Sequence, residues 1–136
     1  MSPATTEQTA RRFIDALHAL EQDGESRLET MVALFADTAT ITNAALKQAG
    51  HVREGRDGAE RFWTDYVATF RGAATEFHQV TLGDKAVGLF WTTRGGTAGG
   101  DTRLDYDGAT LLELDGSDDG RIVRFSGYYD TRALTA

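Results

Sequence analysis

The periodicity of apolar residues changes once along this chain, and that change constrains the fold class more than any other feature. Up to Phe70, apolar side chains recur at intervals of three and four; from Thr75 onward they alternate in short runs between glycine-rich breaks. The first spacing lines one face of a helix, and the second lines one face of a strand. Helices gathered first and a meander of strands afterwards is the order of an α+β domain, with the helices packed on one face of the sheet. A chain of 136 residues fits one such domain, 1–136, with one core and room for one pocket.

The stripe Phe13, Ile14, Leu17 and Leu20 predicts a helix over 6–22, with Thr5 and Gln8 as a capping box. Asp23-Gly24 breaks it. Ser26 and Glu29 repeat the capping pattern before a shorter stripe of Leu28, Met31, Val32 and Phe35. The β-branched, alternating segment 38–43 reads as a strand, and the polar segment 44–58, with Gly50, Gly55 and Gly58, as a loop. Asp57 and Glu60 then open a third helix whose inner face is aromatic: Phe62, Trp63, Tyr66 and Phe70, beside Ala59 and Val67. Strands are expected over 76–82, 86–94, 102–114 and 121–130. The glycine-rich stretch 95–100 lies between two strands and is expected to be a hairpin connection, because a phosphate-cradling loop would lead into a helix.

Strand parity assigns the faces, since successive residues point to opposite sides. Glu113 outward puts Thr110, Leu112 and Leu114 inside and, with no bulge, Tyr106 and Gly108 inside as well, leaving Asp105 and Asp107 outside. Arg124 outward puts Val123, Phe125, Gly127 and Tyr129 inside, with Asp130 on the outer parity or past the strand end. Asn43 shares the face of Ile41, so its amide points into the domain. A buried amide without partners costs about 1–3 kcal/mol, so Asn43 either satisfies backbone at the strand end or holds water or a ligand.

Whole functional classes drop out on composition. There is no cysteine, hence no disulfide, thiolate nucleophile or sulfur ligand. His18, His51 and His78 are far apart and form no helix-borne pair, so no metal or other cofactor is expected; His18 and His78 read as exposed or capping residues. A net charge of −7 without a Lys/Arg cluster argues against nucleic acid. No apolar run approaches the roughly 20 residues of a membrane span, and the N-terminus lacks the pattern of a secretory signal. A cytoplasmic location is the corresponding expectation.

Four motifs, in order, resemble the nuclear transport factor 2-like superfamily, and within it the SnoaL-like and ketosteroid-isomerase-like proteins. They are Val32-Ala33-Leu34-Phe35-Ala36-Asp37-Thr38-Ala39-Thr40, Gly55-Arg56-Asp57-Gly58-Ala59-Glu60-Arg61-Phe62-Trp63, Tyr106-Asp107-Gly108, and Gly120-Arg121-Ile122-Val123-Arg124-Phe125 leading into Tyr128-Tyr129-Asp130. The resemblance implies a cone-shaped α+β barrel, three N-terminal helices packed in a curved, mixed, mostly antiparallel sheet. It further implies an apolar pocket between helices and sheet, and a homodimer formed through the outer sheet face. Its members include isomerases, cyclases, hydrolases, dehydratases and non-catalytic binders, so the fold does not deliver the function.

Laid on this sequence by its motifs, the tyrosine of the steroid isomerases falls on Phe13, their base on Asn43 and their aspartate donor on or near Thr110. An amide cannot abstract a proton, so that mechanism is not expected here. In limonene-epoxide-hydrolase-like members an asparagine at the Asn43 position helps a tyrosine hold water. Here the tyrosine position is Ile41, and the Asp-Arg-Asp relay falls near Trp91, Thr93 and Gly127. SnoaL-like cyclases use a sheet aspartate as base, which makes Asp107 and Asp130 the catalytic candidates beside Asn43. Each has a plainer reading, a turn or bulge before Gly108 for Asp107 and a cap or ion pair with Arg132 for Asp130. The expected pocket wall takes Phe13, Leu17, Phe62, Trp63 and Tyr66 from the helices. From the strands it takes Phe90 (or Trp91), Tyr106, Thr110, Phe125 and Tyr129. The same residues also suit a plain core, but Gly108 and Gly127 remove volume from that face. The leading expectation is a cyclase, isomerase or hydratase acting on a hydrophobic polycyclic or polyketide-like molecule; the alternative is a non-catalytic binder that has lost its acids.

Overall fold

The structure, a computed structural model, describes residues 3–97 and 103–134. Pro3–Asp23 forms α1, which buries Thr6, Ala10, Phe13, Leu17 and Leu20 at intervals of three and four. Thr5 therefore lies within the helix and is not its cap. A 3-10 turn over Gly24–Arg27 leads into the short α2, Leu28–Val32. Ser26 does not cap α2 either, because its hydroxyl donates back to the Asp23 carbonyl at 3.2 Å.

Phe35–Asn43 forms β1, three residues longer than its alternation predicted. The segment 44–58 is more ordered than its glycines suggested. Ala44–Gln48 is the helix α3, Arg53–Glu54 is the two-residue strand β2, and Gly55–Thr69 is α4. Phe70–Leu82, Ala86–Thr97, Arg103–Leu114 and Ile122–Tyr129 are β3, β4, β5 and β6. Gly95 and Gly96 belong to β4, opposite Leu104 and Arg103 of β5, as a hairpin requires; residues 98–102 lie outside the described residues.

The six strands form one sheet in the order β2-β1-β6-β5-β4-β3. All neighbours are antiparallel except β1 and β6, so the sheet is mixed, and it stays open where a barrel was expected. Parity fails at one point. The β5–β6 register shifts between Glu113 and Leu114, opposing Leu114 to Ile122 and leaving Val123 as the extra residue. Ile122 thus takes the fully buried place expected for Val123, which is half-buried.

The core between α1, α2, α4 and the inner sheet face is built on Phe13, Leu20, Met31, Phe35, Ile41 and Leu89. Each contributes about 1.5–3 kcal/mol by leaving water. The β5–β6 connection docks on α1 at Gly120, whose φ is +60° and whose carbonyl accepts a 2.8 Å bond from Thr9 Oγ1. A Cβ there would stand 2.6 Å from that same oxygen. No helix among the described residues is long and apolar enough to cross a membrane.

Candidate functional site

A cavity of about 270 Å³ lies between the helices and the inner sheet face. From α1 it takes Phe13 and Leu17, and from α4 Phe62, Trp63 and Tyr66. The sheet adds Tyr106 and Thr110 from β5 and Phe125 and Tyr129 from β6. All nine stand on the wall expected of them. Phe90 does not: it is 46% exposed on the outer face, and its neighbour Trp91 points inward, directly across from Gly108.

Gly108 has a different purpose from the one its missing side chain suggested. The Trp91 indole occupies the space, so close that a Cβ on Gly108 would overlap the ring and stand 2.7 Å from the Tyr128 carbonyl oxygen. The indole Nε1 donates to Thr110 Oγ1 at 2.9 Å, and its ring meets Tyr106 edge-on at 5.6 Å. Gly127 does line the cavity, where a Cβ would lie 3.2 Å from the Cβ of Asn43.

Asn43 reaches the cavity wall, but its oxygen is committed to the backbone. Oδ1 accepts the Leu46 N–H at 2.8 Å and caps α3, the backbone-satisfying alternative. The two aspartates face away from the cavity. Asp107 is exposed on the outer face, opposite Thr92, and accepts a short hydrogen bond from the Thr92 hydroxyl; that hydroxyl also meets His78 Nε2 at 2.6 Å. No bulge turns β5 inward there. Asp130, past the end of β6, forms a 2.8 Å ion pair with Arg132, whose side-chain and backbone N–H groups hold its carboxyl down to about 2. Parity had put both outside, and the structure corrects their candidacy as cavity bases. His18, also exposed, meets the Thr75 carbonyl through Nε2 at 2.9 Å.

Asp65 of α4 lines the cavity, and a second helix carboxylate, Glu21 of α1, connects to it through Tyr66 and Thr75. Its Oε2 accepts from Tyr66 Oη at 2.7 Å and from Thr75 Oγ1 at 2.6 Å, and its Oε1 accepts the Thr75 N–H at 3.1 Å. Thr75 also shares a 2.8 Å hydrogen bond with Thr93, its cross-strand partner, and Thr93 faces Tyr106 on β5. One polar row thus runs from α1 across the inner face of three strands. Glu21 continues the Phe13–Leu17 row by four more residues, a signal the sequence held but that Gln22 and Asp23 masked as a polar helix end.

The phenols of this wall stay protonated. Burial, then the charge and the hydrogen bond of Glu21, push Tyr66 well above the ordinary tyrosine value. Burial also raises Tyr106, with Tyr129 and Glu21 adding to it, and raises Tyr129 against an opposing backbone hydrogen bond from Ala45. At the rim, Arg53 of β2 and Asp65 of α4 face each other at 3.9 Å, Arg53 mostly buried and Asp65 62% exposed. Among the described residues, two buried side-chain polar atoms have no hydrogen-bond partner, Arg53 Nε and Trp63 Nε1. No group of three metal-ligating side chains comes together among the described residues.

Comparison with solved structures places this geometry among similar folds. A protein assigned as a SnoaL-like polyketide cyclase from Jannaschia sp. CCS1 superposes with a TM-score of 0.79 at 17% identity, covering 99% of this chain and 93% of its own. An NTF2-like protein of unknown function from Exiguobacterium sp. 255-15 gives 0.73 at 21% identity, covering 90% and 98%. An LEH-like epoxide hydrolase from M. tuberculosis gives 0.71 at 17% identity, covering 97% and 87%. At such identities the likeness is one of fold. No curated protein matches the sequence. The profile of the SnoaL-like domain matches residues 10–125, and with that match and the shared α+β cone fold this chain belongs to the SnoaL-like family of the nuclear transport factor 2-like superfamily.

Proposed function

We propose that this protein binds a compact, largely apolar, oxygen-bearing molecule of the polycyclic or polyketide-like class, and holds it without a sheet aspartate acting as base. The observation that carries this reading is the chemistry of the wall: aromatic rings with neutral phenol, hydroxyl and amide groups and one ion pair, Arg53–Asp65, at the rim, while Asp107 and Asp130 are engaged outside it. Such a wall orients a ligand by a few hydrogen bonds and excludes water from the rest. A cyclase, isomerase or hydratase is the second reading, favoured by the 2.7 Å bond from Tyr66 to Glu21. In that reading an acidic proton of the substrate passes to Tyr66 Oη as the phenol proton passes to Glu21, so the phenol ends neutral and Glu21 holds the proton.

Both tryptophans of the chain, Trp63 and Trp91, line the cavity, so intrinsic fluorescence reports on its filling. Saturable, one-site quenching by 2-acetylnaphthalene or by 2-naphthoic acid is the expected result, and its absence with both would refute the binding reading. Deuterium exchange at the methyl group of the bound ketone separates the two readings. No exchange above the buffer rate supports a binder; exchange that Glu21→Gln abolishes supports the enzyme.

We also propose that two copies pair through the outer sheet face. Phe90 and Tyr128 stand 46% and 53% exposed there, in one row on either side of Ala109.

A further inference from the structure

Among the described residues that line the cavity, Arg53 is the one cationic side chain. Its Nε, like Trp63 Nε1, is buried behind the wall and lacks a partner among the described residues, so the guanidinium reaches the cavity through its other nitrogens. A buried donor left unmade costs about 1–3 kcal/mol. Phe13, Phe62, Tyr66 and Phe125 surround the Trp63 ring. Asn43 adds a polar group to the same wall. A backbone N–H occupies its oxygen, so the group it offers the cavity is its NH₂.

Arg53 sharpens this further. Only 18% of its side chain is exposed, and its one carboxylate neighbour, Asp65, is 3.9 Å away on a mostly exposed side chain, beyond hydrogen-bond distance. A guanidinium so placed is a mostly buried cation whose ion pair with Asp65 is long and solvent-screened. The chain carries a net charge of −7, so an anion would be repelled at long range, and a local cation is what it would need to enter.

We propose that the natural ligand is an organic acid, an apolar ring system carrying a carboxylate that Arg53 recognises at the cavity rim. This rests on the binding reading above and names its ligand class. The carboxylate is acceptor-only when ionised, so its charge answers Arg53 and its oxygens accept from the NH₂ of Asn43. Asp65 competes weakly for the guanidinium and is displaced outward when the acid binds.

Calorimetric titration with 2-naphthoic acid and with the neutral 2-acetylnaphthalene tests the proposal. The acid is expected to bind about tenfold or more tightly than the ketone, the ratio expected of one charge-assisted hydrogen bond. In Arg53→Met, which keeps the apolar stem, that ratio falls to about one. Asp65→Asn, on an exposed side chain, raises it. An acid that binds no better than the ketone overturns the proposal while the binding reading stands, as does an advantage that survives Arg53→Met. If neither compound binds the native protein, both fall.

Discussion

The seat of Trp91 on Gly108 supports a quantitative prediction for Gly108→Ala. The added methyl would collide with the far edge of the indole and with the Tyr128 carbonyl, which is backbone and cannot give way. The indole must move. Forcing a methyl into a closed packing costs about 1–3 kcal/mol. Moving the ring breaks the 2.9 Å bond to Thr110, a buried hydroxyl, for about another 1 kcal/mol, and the edge-on pairing with Tyr106 for about 0.5–1.5 kcal/mol. The expected loss is about 2.5–5.5 kcal/mol, a large share of the roughly 5–15 kcal/mol that holds a domain folded. Gly88→Ala is the control. It is also a strand glycine, but the nearest atoms to its Cβ lie at 3.7 Å, ordinary contact, so it should be neutral or slightly stabilising. Urea unfolding followed by circular dichroism measures both. In a double variant, Trp91→Leu should recover part of the loss caused by Gly108→Ala. Equal midpoints for Gly108→Ala and Gly88→Ala, or no coupling between positions 91 and 108, would refute the reasoning.

The remaining predictions concern the cap, the phenols and the outer face. Asn43→Ala should destabilise by about 1 kcal/mol in urea unfolding, whereas Asn43→Asp, an equally good cap, should not. Tyr66, Tyr106 and Tyr129 hold their protons more tightly folded than unfolded. The stability this gives is complete below about pH 10 and is lost as pH rises through the folded values, so alkaline unfolding should coincide with a cooperative rise in tyrosinate absorbance. Independent titration of all tyrosines near pH 10 before unfolding would contradict it. Phe90→Asp should shift sedimentation from dimer to monomer without changing the unfolding midpoint of the monomer; a native protein that sediments as a monomer would rule out pairing through the outer face.

What the sequence disclosed follows from how far each signal reaches. Periodicity is local, so the helical stripe through Phe13 and Leu17 and the parity of Tyr106, Thr110, Phe125 and Tyr129 led directly to the cavity wall. Facing failed only where pairing intervened. The shift at Leu114 turned Val123 aside for Ile122, and a choice between the adjacent Phe90 and Trp91 needed the partner strand, since only the register sets Trp91 across from Gly108. The hidden elements, α3 and β2, are too short to show a period at all. Glu21 stayed hidden because its partners, Tyr66 and Thr75, are 45 and 54 residues away, and no spacing along the chain records them.

The amide of Asn43 joins the fold to the cavity chemistry. As the occupant of a base position it excludes the proton transfer best known for this fold, and as the cap of α3 it has a structural reason to be an amide or an acid. Those two constraints do not select between Asn and Asp, because either caps a helix equally well. The choice of amide therefore bears on the cavity, where it replaces a negative charge by a donor. Arg53, the cation among the lining residues, has the same bias toward an anionic ligand. An aspartate at position 43 would repel a carboxylate in the cavity, so under the organic-acid proposal the amide at position 43 and the cation at position 53 answer one requirement. Asn43→Asp should therefore weaken 2-naphthoic acid binding while leaving 2-acetylnaphthalene binding unchanged.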